Sequence, residues 1–234
     1  MNQINQAADA APEVLRISLD AKATVKVGPF ARGGTSRTVV KAADHDFQPQ
    51  ATVTPLGIFL PGSDELFIYG VTSKVTSDCL VDRLVQWWET VHHRFTHINT
   101  LVINLDNGPE NHSRRTQFMG RIVEFAQQYQ LRVRLAYYPP YHSKYNPIER
   151  CWGILENHWN GTLLDSIDAV LQYAKTMTWK GQHPVVELVT TTDQAGVKLS
   201  QEAMAAVETQ IERLPQLGKW FVDIDCSPSV IRDT

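Results

Sequence analysis

An α/β fold with a mixed sheet and helices on its faces is what the order of apolar periodicities predicts. An early β-hairpin signal is followed by alternating helix and strand signals, and the 234 residues with 43% hydrophobic content suffice for a sizeable core. Residues 1–12 read as a polar leader. In the next stretch Leu15, Ile17 and Leu19 alternate with Arg16, Ser18 and Asp20, which predicts a strand whose aspartate emerges on the polar side. Gly33-Gly34 marks a loop. Residues 52–60 and 65–71 form a hairpin around the turn Pro61-Gly62-Ser63-Asp64.

Ser77 or Asp78 caps a helix with Leu80, Leu84, Trp87, Trp88, Val91 and Phe95 on one stripe. Leu101, Ile103 and Leu105 then alternate with Val102, Asn104 and Asp106, and the turn Asn107-Gly108-Pro109 breaks that strand. Phe118, Ile122, Phe125 and Tyr129 mark a second amphipathic helix, and Leu131, Val133, Leu135 and Tyr137 a returning strand. Asn146-Pro147 opens a helix with Ile148, Cys151, Trp152, Leu155 and Trp159 inward. Helices near 166–178 and 200–214 and a strand at 220–224 make up an acidic extension. The expected organisation is a leader at 1–12, a core of five strands flanked by helices at 13–160, and a C-terminal α/β extension at 161–234 packed on the core.

No apolar run is long enough to span a bilayer, and the polar start lacks the basic and apolar regions of a secretion signal, so a cytoplasmic protein without membrane contact is expected. Cys79, Cys151 and Cys226 are odd in number and far apart, which argues against a disulfide framework and a CxxC zinc site and for free thiols. The net charge of −3 hides an uneven distribution: from Arg114 to Arg150 there are seven basic residues against two acids, and from Cys151 onward six against eleven. The basic stretch is either a phosphate-attracting surface or a solvated helix face and edge strand.

Three carboxylates sit at element ends: Asp20, Asp106 and Glu149. Hard divalent cations require oxygen ligands, and clustered acids need such cations to offset their mutual repulsion. Each acid has a plainer reading. Glu149 follows Asn146-Pro147 at capping-box spacing, Asp20 is a strand-end aspartate, and Asp106 can start an Asx turn. Gly153, four residues beyond Glu149, leaves its helix face open. Glu110 ranks below Asp106 because it is off the strand end. His93 and His97 have metal-face spacing but lack the glutamate of HExxH, and with His92 they read as a helix C-terminus. Asp44-His45-Asp46 reads as a polar loop.

Taken together, Ile17-Ser18-Leu19-Asp20-Ala21-Lys22, Gly28-Pro29-Phe30-Ala31-Arg32-Gly33-Gly34, His45-Asp46-Phe47, Pro55-Leu56-Gly57-Ile58, Trp87-Trp88, Asn104-Leu105-Asp106-Asn107-Gly108, and Pro139-Pro140 through Ser143-Lys144 to Ile148-Glu149 resemble the Rhodopirellula-type bacterial insertion-sequence transposases. Gly196-Val197-Lys198-Leu199-Ser200 and Trp220 with Ile224 extend the similarity to about residue 225, and Asn146-Pro147-Ile148-Glu149 is similar also to mariner-like transposases. The resemblance implies an RNase H-like fold, with Asp20, Asp106 and Glu149 as catalytic and metal-binding acids for two Mg2+ ions, Mn2+ substituting. It implies DNA strand cleavage and 3′-hydroxyl strand transfer, with DNA (element ends and target) as partner, a homodimer, and nucleoid association on DNA. Lys22, Arg114, Arg115, His142, Lys144 and Arg150 are the phosphate-contact candidates. The helix-turn-helix that usually recognises element ends does not precede Asp20, so end recognition is expected from a separate or missing N-terminal domain. A nuclease that only hydrolyses, or an inactive remnant that binds DNA or a partner, are the other readings.

Overall fold

The computed structural model describes residues 1–29, 49–139 and 145–225. In chain order its elements are helix α1 (Asn2–Ala10), strands β1 (Val14–Ala21), β2 (Val25–Val27), β3 (Ala51–Leu60) and β4 (Glu65–Val71), helix α2 (Ser77–Val91), strand β5 (Thr100–Leu105), helix α3 (Thr116–Tyr129) and strand β6 (Arg132–Tyr137). Helices α4 (Ile148–Trp159) and α5 (Ile167–Thr176), strand β7 (Val185–Val189), helix α6 (Gln201–Glu208) and strands β8 (Ile211–Arg213) and β9 (Phe221–Ile224) follow among the described residues. The mixed α/β class is as the periodicities predict. Among the described residues the strands number nine: the five expected of the core, β9 where a strand at 220–224 was expected in the extension, and β2, β7 and β8 in addition.

The chain forms two compact units, one of Met1–Ile17, Ser77–Ser143 and Gly196–Thr234, the other of Ser18–Thr76 and Lys144–Ala195. Residues 161–234, expected as one extension, divide between them. Strand β1 contributes its first half to one unit and its second half to the other.

In the first unit the strand order is β1-β5-β6-β9-β8. Strands β5 and β6 run parallel from Thr100 opposite Arg132 to Leu105 opposite Tyr137, and β9 pairs antiparallel with β6. Helices α2 and α3 bury most of the stripes their spacing predicts, including Leu84, Trp87, Phe118, Ile122 and Phe125, but α2 ends at Val91, so Phe95 lies beyond it, and Phe95 and Tyr129 are only half-buried. Arg121 of α3 joins them electrostatically, reaching Asp78 at 2.5 Å and Asp82 at 2.6 Å. The region 200–214 is a helix only to Glu208, since β8 forms where Ile211 pairs with Ile224.

The polar leader folds as α1. Ala8 packs with Val102, Ala136 and Phe221, with Met1 and Ile4 alongside. One polar residue, Asn5, also turns inward, and pattern reading passes over such a helix. Asn104 of β5 is fully buried, and it needs partners: Asn5 Oδ1 accepts from Asn104 Nδ2 at 3.1 Å, while Arg16 Nη1 donates to Asn104 Oδ1 at 3.1 Å. Arg16 is held in turn by Asp9 through two bonds of 2.7 Å.

In the second unit the order is β7-β4-β3-β1, with β2 paired to β3. The hairpin forms as expected, with Leu60 opposite Glu65, and β7 adds parallel to β4. Strand β1 is buried on both faces from Ile17 to Asp20, so the side carrying Ser18 and Asp20 is not a solvent face. The core joins Val53, Phe59 and Ile68 of the sheet to Ile148, Cys151, Trp152, Leu155 and Trp159 of α4.

Arg16→Met keeps the apolar stem but leaves the buried Asn104 carbonyl without its donor. The expected loss is about 1–3 kcal/mol, read by urea unfolding, with little of it due to the half-exposed Asp9 pair.

Candidate active site

The register of β1 with β3 sets Asp20 opposite Gly57. A Cβ on Gly57 would lie 2.5 Å from Trp152 Cη2, 2.6 Å from Cζ2 and 2.7 Å from Ile148 Cδ1, so α4 approaches β3 as closely as only a glycine permits. The Trp152 indole occupies that space, and its Nε1 donates to Asp20 Oδ2 at 2.7 Å. Asp20 is only 6% exposed. Two residues further on, Lys22 Nζ pairs with Glu156 of α4 at 2.7 Å, so the end of β1 is tied to α4 twice.

Helix α4 starts here because Pro147 has helical φ and lacks the N–H that a first turn leaves unbonded anyway, and because Ile148, Cys151, Trp152, Leu155 and Trp159 recur at helical spacing. Glu149 lies in the first turn, where the helix dipole favours a negative charge, one turn before Trp152 on adjoining helix surface. Asp20 is thus bonded to the residue one turn beyond Glu149. The capping box does not form from Asn146: the N-cap is Pro147 with no side-chain hydrogen bond, and the buried Asn146 leaves both amide atoms unpartnered. Gly153 faces open space, with nothing within 4 Å of a Cβ placed there.

Asp106 follows β5 directly, in the first unit. The turn after it folds back, so that Asn111 Nδ2 donates to Asp106 Oδ1 at 2.7 Å. A Cβ on Gly108 would meet Asp106 Oδ2 at 3.0 Å, Asn111 Oδ1 at 3.2 Å and Asp106 Oδ1 at 3.3 Å, and glycine keeps that position open. The turn is fixed from below by Tyr137, whose hydroxyl donates to the Asn111 carbonyl at 2.8 Å. Burial pushes the Tyr137 phenol far above its ordinary value, Arg213 opposing and the Asp106 charge adding, so it remains a donor. Asn107 Oδ1 and Asn111 Oδ1 are buried and without a hydrogen-bond partner among the described residues.

The basic candidates divide. Arg114 and Arg150 are exposed. Arg115 pairs with Glu110 at 3.0 Å and donates to Ser77 Oγ at 3.3 Å, which makes Glu110 the anchor of a turn. Lys22 is engaged by Glu156. His142, Lys144 and Asp44-His45-Asp46 lie outside the described residues. The His92 ring faces the carbonyls of Trp88 and Glu89 at the end of α2, as a helix C-terminus predicts. Among the described residues no three His, Cys, Asp or Glu side chains form a ready-made metal cluster.

The donor chemistry around Asp106 nevertheless fits a hard divalent ion: carboxylate oxygens beside a buried amide oxygen that lacks a donor, around a position a Cβ would fill. Sequence reading missed Asn111, Trp152 and Gly57 as site residues. A second asparagine in the turn Asn107-Gly108-Pro109-Glu110-Asn111 was the available signal for the first, whereas the others are set by packing alone.

The family model described as Rhodopirellula transposase DDE domain matches residues 1–226. No curated protein matches the chain. Among solved structures, "Mos1 transposase paired-end complex with left transposon end" gives a TM-score of 0.51 at 9% identity, covering 74% of this chain and 50% of that one. A second, "Crystal structure of the Mos1 mariner paired end complex with Mn", gives 0.49 at 11% identity, covering 68% and 46%. The chain spans about half the length of these solved chains, and the likeness to the first is one of fold, RNase H-like.

Gly57→Ala should lower stability by about 1–3 kcal/mol through overpacking against Trp152 and Ile148, and the loss should shrink in a Trp152→Phe background. Thermal unfolding of the four proteins in that cycle measures both effects. A pH effect is expected from His112, whose Nδ1 accepts from the Arg114 N–H at 3.2 Å. Burial, then the charges of Arg115 and Arg114, hold its folded value below the ordinary 6.5. As pH falls below 6.5, the unfolded chain takes up a proton that folded His112 refuses. This contribution is therefore complete above that pH and is lost as pH falls toward the folded value. In a pH series of urea unfolding, His112→Gln should flatten the decline.

Proposed function

Because this chain belongs to the Rhodopirellula transposase DDE domain family, we propose that it catalyses metal-dependent DNA strand cleavage and 3′-hydroxyl strand transfer in transposition. Asp20, Asp106 and Glu149 are its catalytic and metal-binding acids. The observation that carries this reading is that Asp20, a buried carboxylate at a strand end, is held by Trp152 one turn beyond Glu149. The restraint of Asp106 by Asn111 is a second support. Restraint of this kind suits a site that must keep charged groups in one geometry.

When bound, two Mg2+ ions, or Mn2+ in their place, would neutralise the carboxylates and stabilise the attacking and leaving oxygens of an in-line displacement. The protein's own part is to supply oxygen donors and keep them oriented. Trp152 fixes Asp20, and α4 presents Glu149 from its first turn. In the first reaction water attacks a phosphodiester and the phosphorus–3′-oxygen bond breaks, leaving a 3′-hydroxyl. In the second, that hydroxyl attacks a target phosphodiester and displaces its 3′-oxygen. Arg114 and Arg150, exposed on the surface, together with His142 and Lys144, contact DNA phosphates, and such contacts position without reading sequence. Lys22 and Arg115 contribute mainly through their ion pairs with Glu156 and Glu110. We extend the reading to a homodimer acting on paired element ends; a paired-end complex with a transposon end is what the Mos1 structure is described as.

Asp106→Asn and Glu149→Gln should each reduce Mg2+-dependent nicking of a supercoiled plasmid to the metal-free level, with thermal stability equal to or above wild type because carboxylate repulsion is relieved. Retained nicking in either variant would remove that acid from the mechanism. Joining of a pre-cut 3′ end to target DNA separates a transposase from a nuclease that only hydrolyses, and absence of both activities marks an inactive remnant.

A further inference from the structure

Asn111 is 6% exposed, and its two amide atoms meet different environments. Nδ2 donates to Asp106 Oδ1 at 2.7 Å, whereas Oδ1 is buried with no hydrogen-bond partner among the described residues. The opposite rotation of the amide would set its carbonyl oxygen against the carboxylate, so the hydrogen bond fixes which atom points where. Oδ1 and both Asp106 oxygens lie 3.0–3.3 Å from the single point where a Gly108 Cβ would stand. Three oxygens, none of them a donor, therefore border one position that glycine keeps vacant. Buried carbonyl oxygens are rarely left without a partner, and oxygens gathered in this way repel one another unless a positive centre joins them. Carboxylate and amide oxygens together are ligands that hard divalent cations accept.

We propose that Asn111 completes the cation site of Asp106: its Oδ1 faces the divalent ion, directly or through one of the ion's waters, and its Nδ2 sets the rotation of the carboxylate. The proposal deepens the function proposed above and rests on Asp106 being a metal-binding acid. Asn111 is thus a positioning and ligand-shell residue. Tyr137 serves the same end by holding the Asn111 carbonyl at 2.8 Å, which fixes the turn from which the side chain projects.

The test is Mn2+ binding to the full chain without DNA, followed by the electron paramagnetic resonance signal of free Mn2+, together with the rise in melting temperature that Mn2+ produces. Asn111→Ala should weaken Mn2+ by about 10–100-fold, the usual effect of removing a group that supports a metal ligand. Asn111→Asp keeps an oxygen at the site and adds charge. It should bind Mn2+ at least as tightly as wild type, melt lower without metal, and show a larger Mn2+-induced rise. If Asn111→Ala changes affinity by less than about twofold while Asp106→Asn abolishes binding, Asn111 is structural only and the proposal fails, with Asp106 unaffected. Equal weakening in Asn111→Ala and Asn111→Asp would also overturn it, since only the amide donor would then matter. Should Asp106→Asn bind Mn2+ like wild type, the assignment of Asp106 itself fails, and the proposal with it. If Asn111→Ala does not fold, Asn111→Asp decides alone: weaker binding than wild type overturns the proposal.

Discussion

The hydrogen bond from Trp152 to Asp20 is the constraint on which the second unit turns. A carboxylate that is 6% exposed needs a donor, and a bond to a charged group contributes about 1.5–3 kcal/mol. The indole supplies it from the space over Gly57 of β3, which requires the absence of a side chain there. That placement fixes the rotation of α4 about its own axis, because Ile148, Leu155 and Trp159 share the buried stripe with Trp152. Glu149 then takes whatever direction the stripe leaves to it. One indole nitrogen thereby relates a strand-end acid to a helix-borne acid, though the two are 129 positions apart in the sequence.

The elements with strong periodicity were legible in advance. The hairpin of β3 and β4, the stripes of α2, α3 and α4, and the alternation of β5 and β6 all follow from local pattern. Asp20, Asp106 and Glu149 stood out because each ends or begins such an element. The remainder depends on partners distant in sequence. Helix α1 looked like a leader because one of its polar residues, Asn5, serves a buried Asn104 instead of solvent. Asp20 was assigned to a polar face, but α4 covers that face. Gly57 reads as an ordinary strand glycine until the helix that rests on it is known.

Local charge was the least reliable guide. The stretch from Arg114 to Arg150 carries seven basic residues, yet four of the six among the described residues are committed to ion pairs. Arg121 is held by Asp78 and Asp82 of α2, and Arg134 by Asp223 of β9. Arg132 reaches Asp225 at 2.8 Å. The acidity after Cys151 is in part the counter-charge of the basic strand β6, supplied from the far end of the chain. A net charge counted along a window therefore overstates the field that phosphate would meet, because folding supplies acids from outside the window.

The threading of the first unit has a consequence for synthesis. Its β6 is completed by β9, and the Arg134–Asp223 pair spans 89 residues. On the ribosome, β6 emerges long before β9, while every segment of the second unit up to Ala195 is already made. For that interval β6 is an open sheet edge, with a row of unpaired backbone groups and an apolar face of Val133, Leu135 and Tyr137. Strand β9 is therefore also a seal against other nascent chains. Anything that delays or removes β9 turns a folding intermediate into a template for aggregation, whatever the state of the catalytic acids.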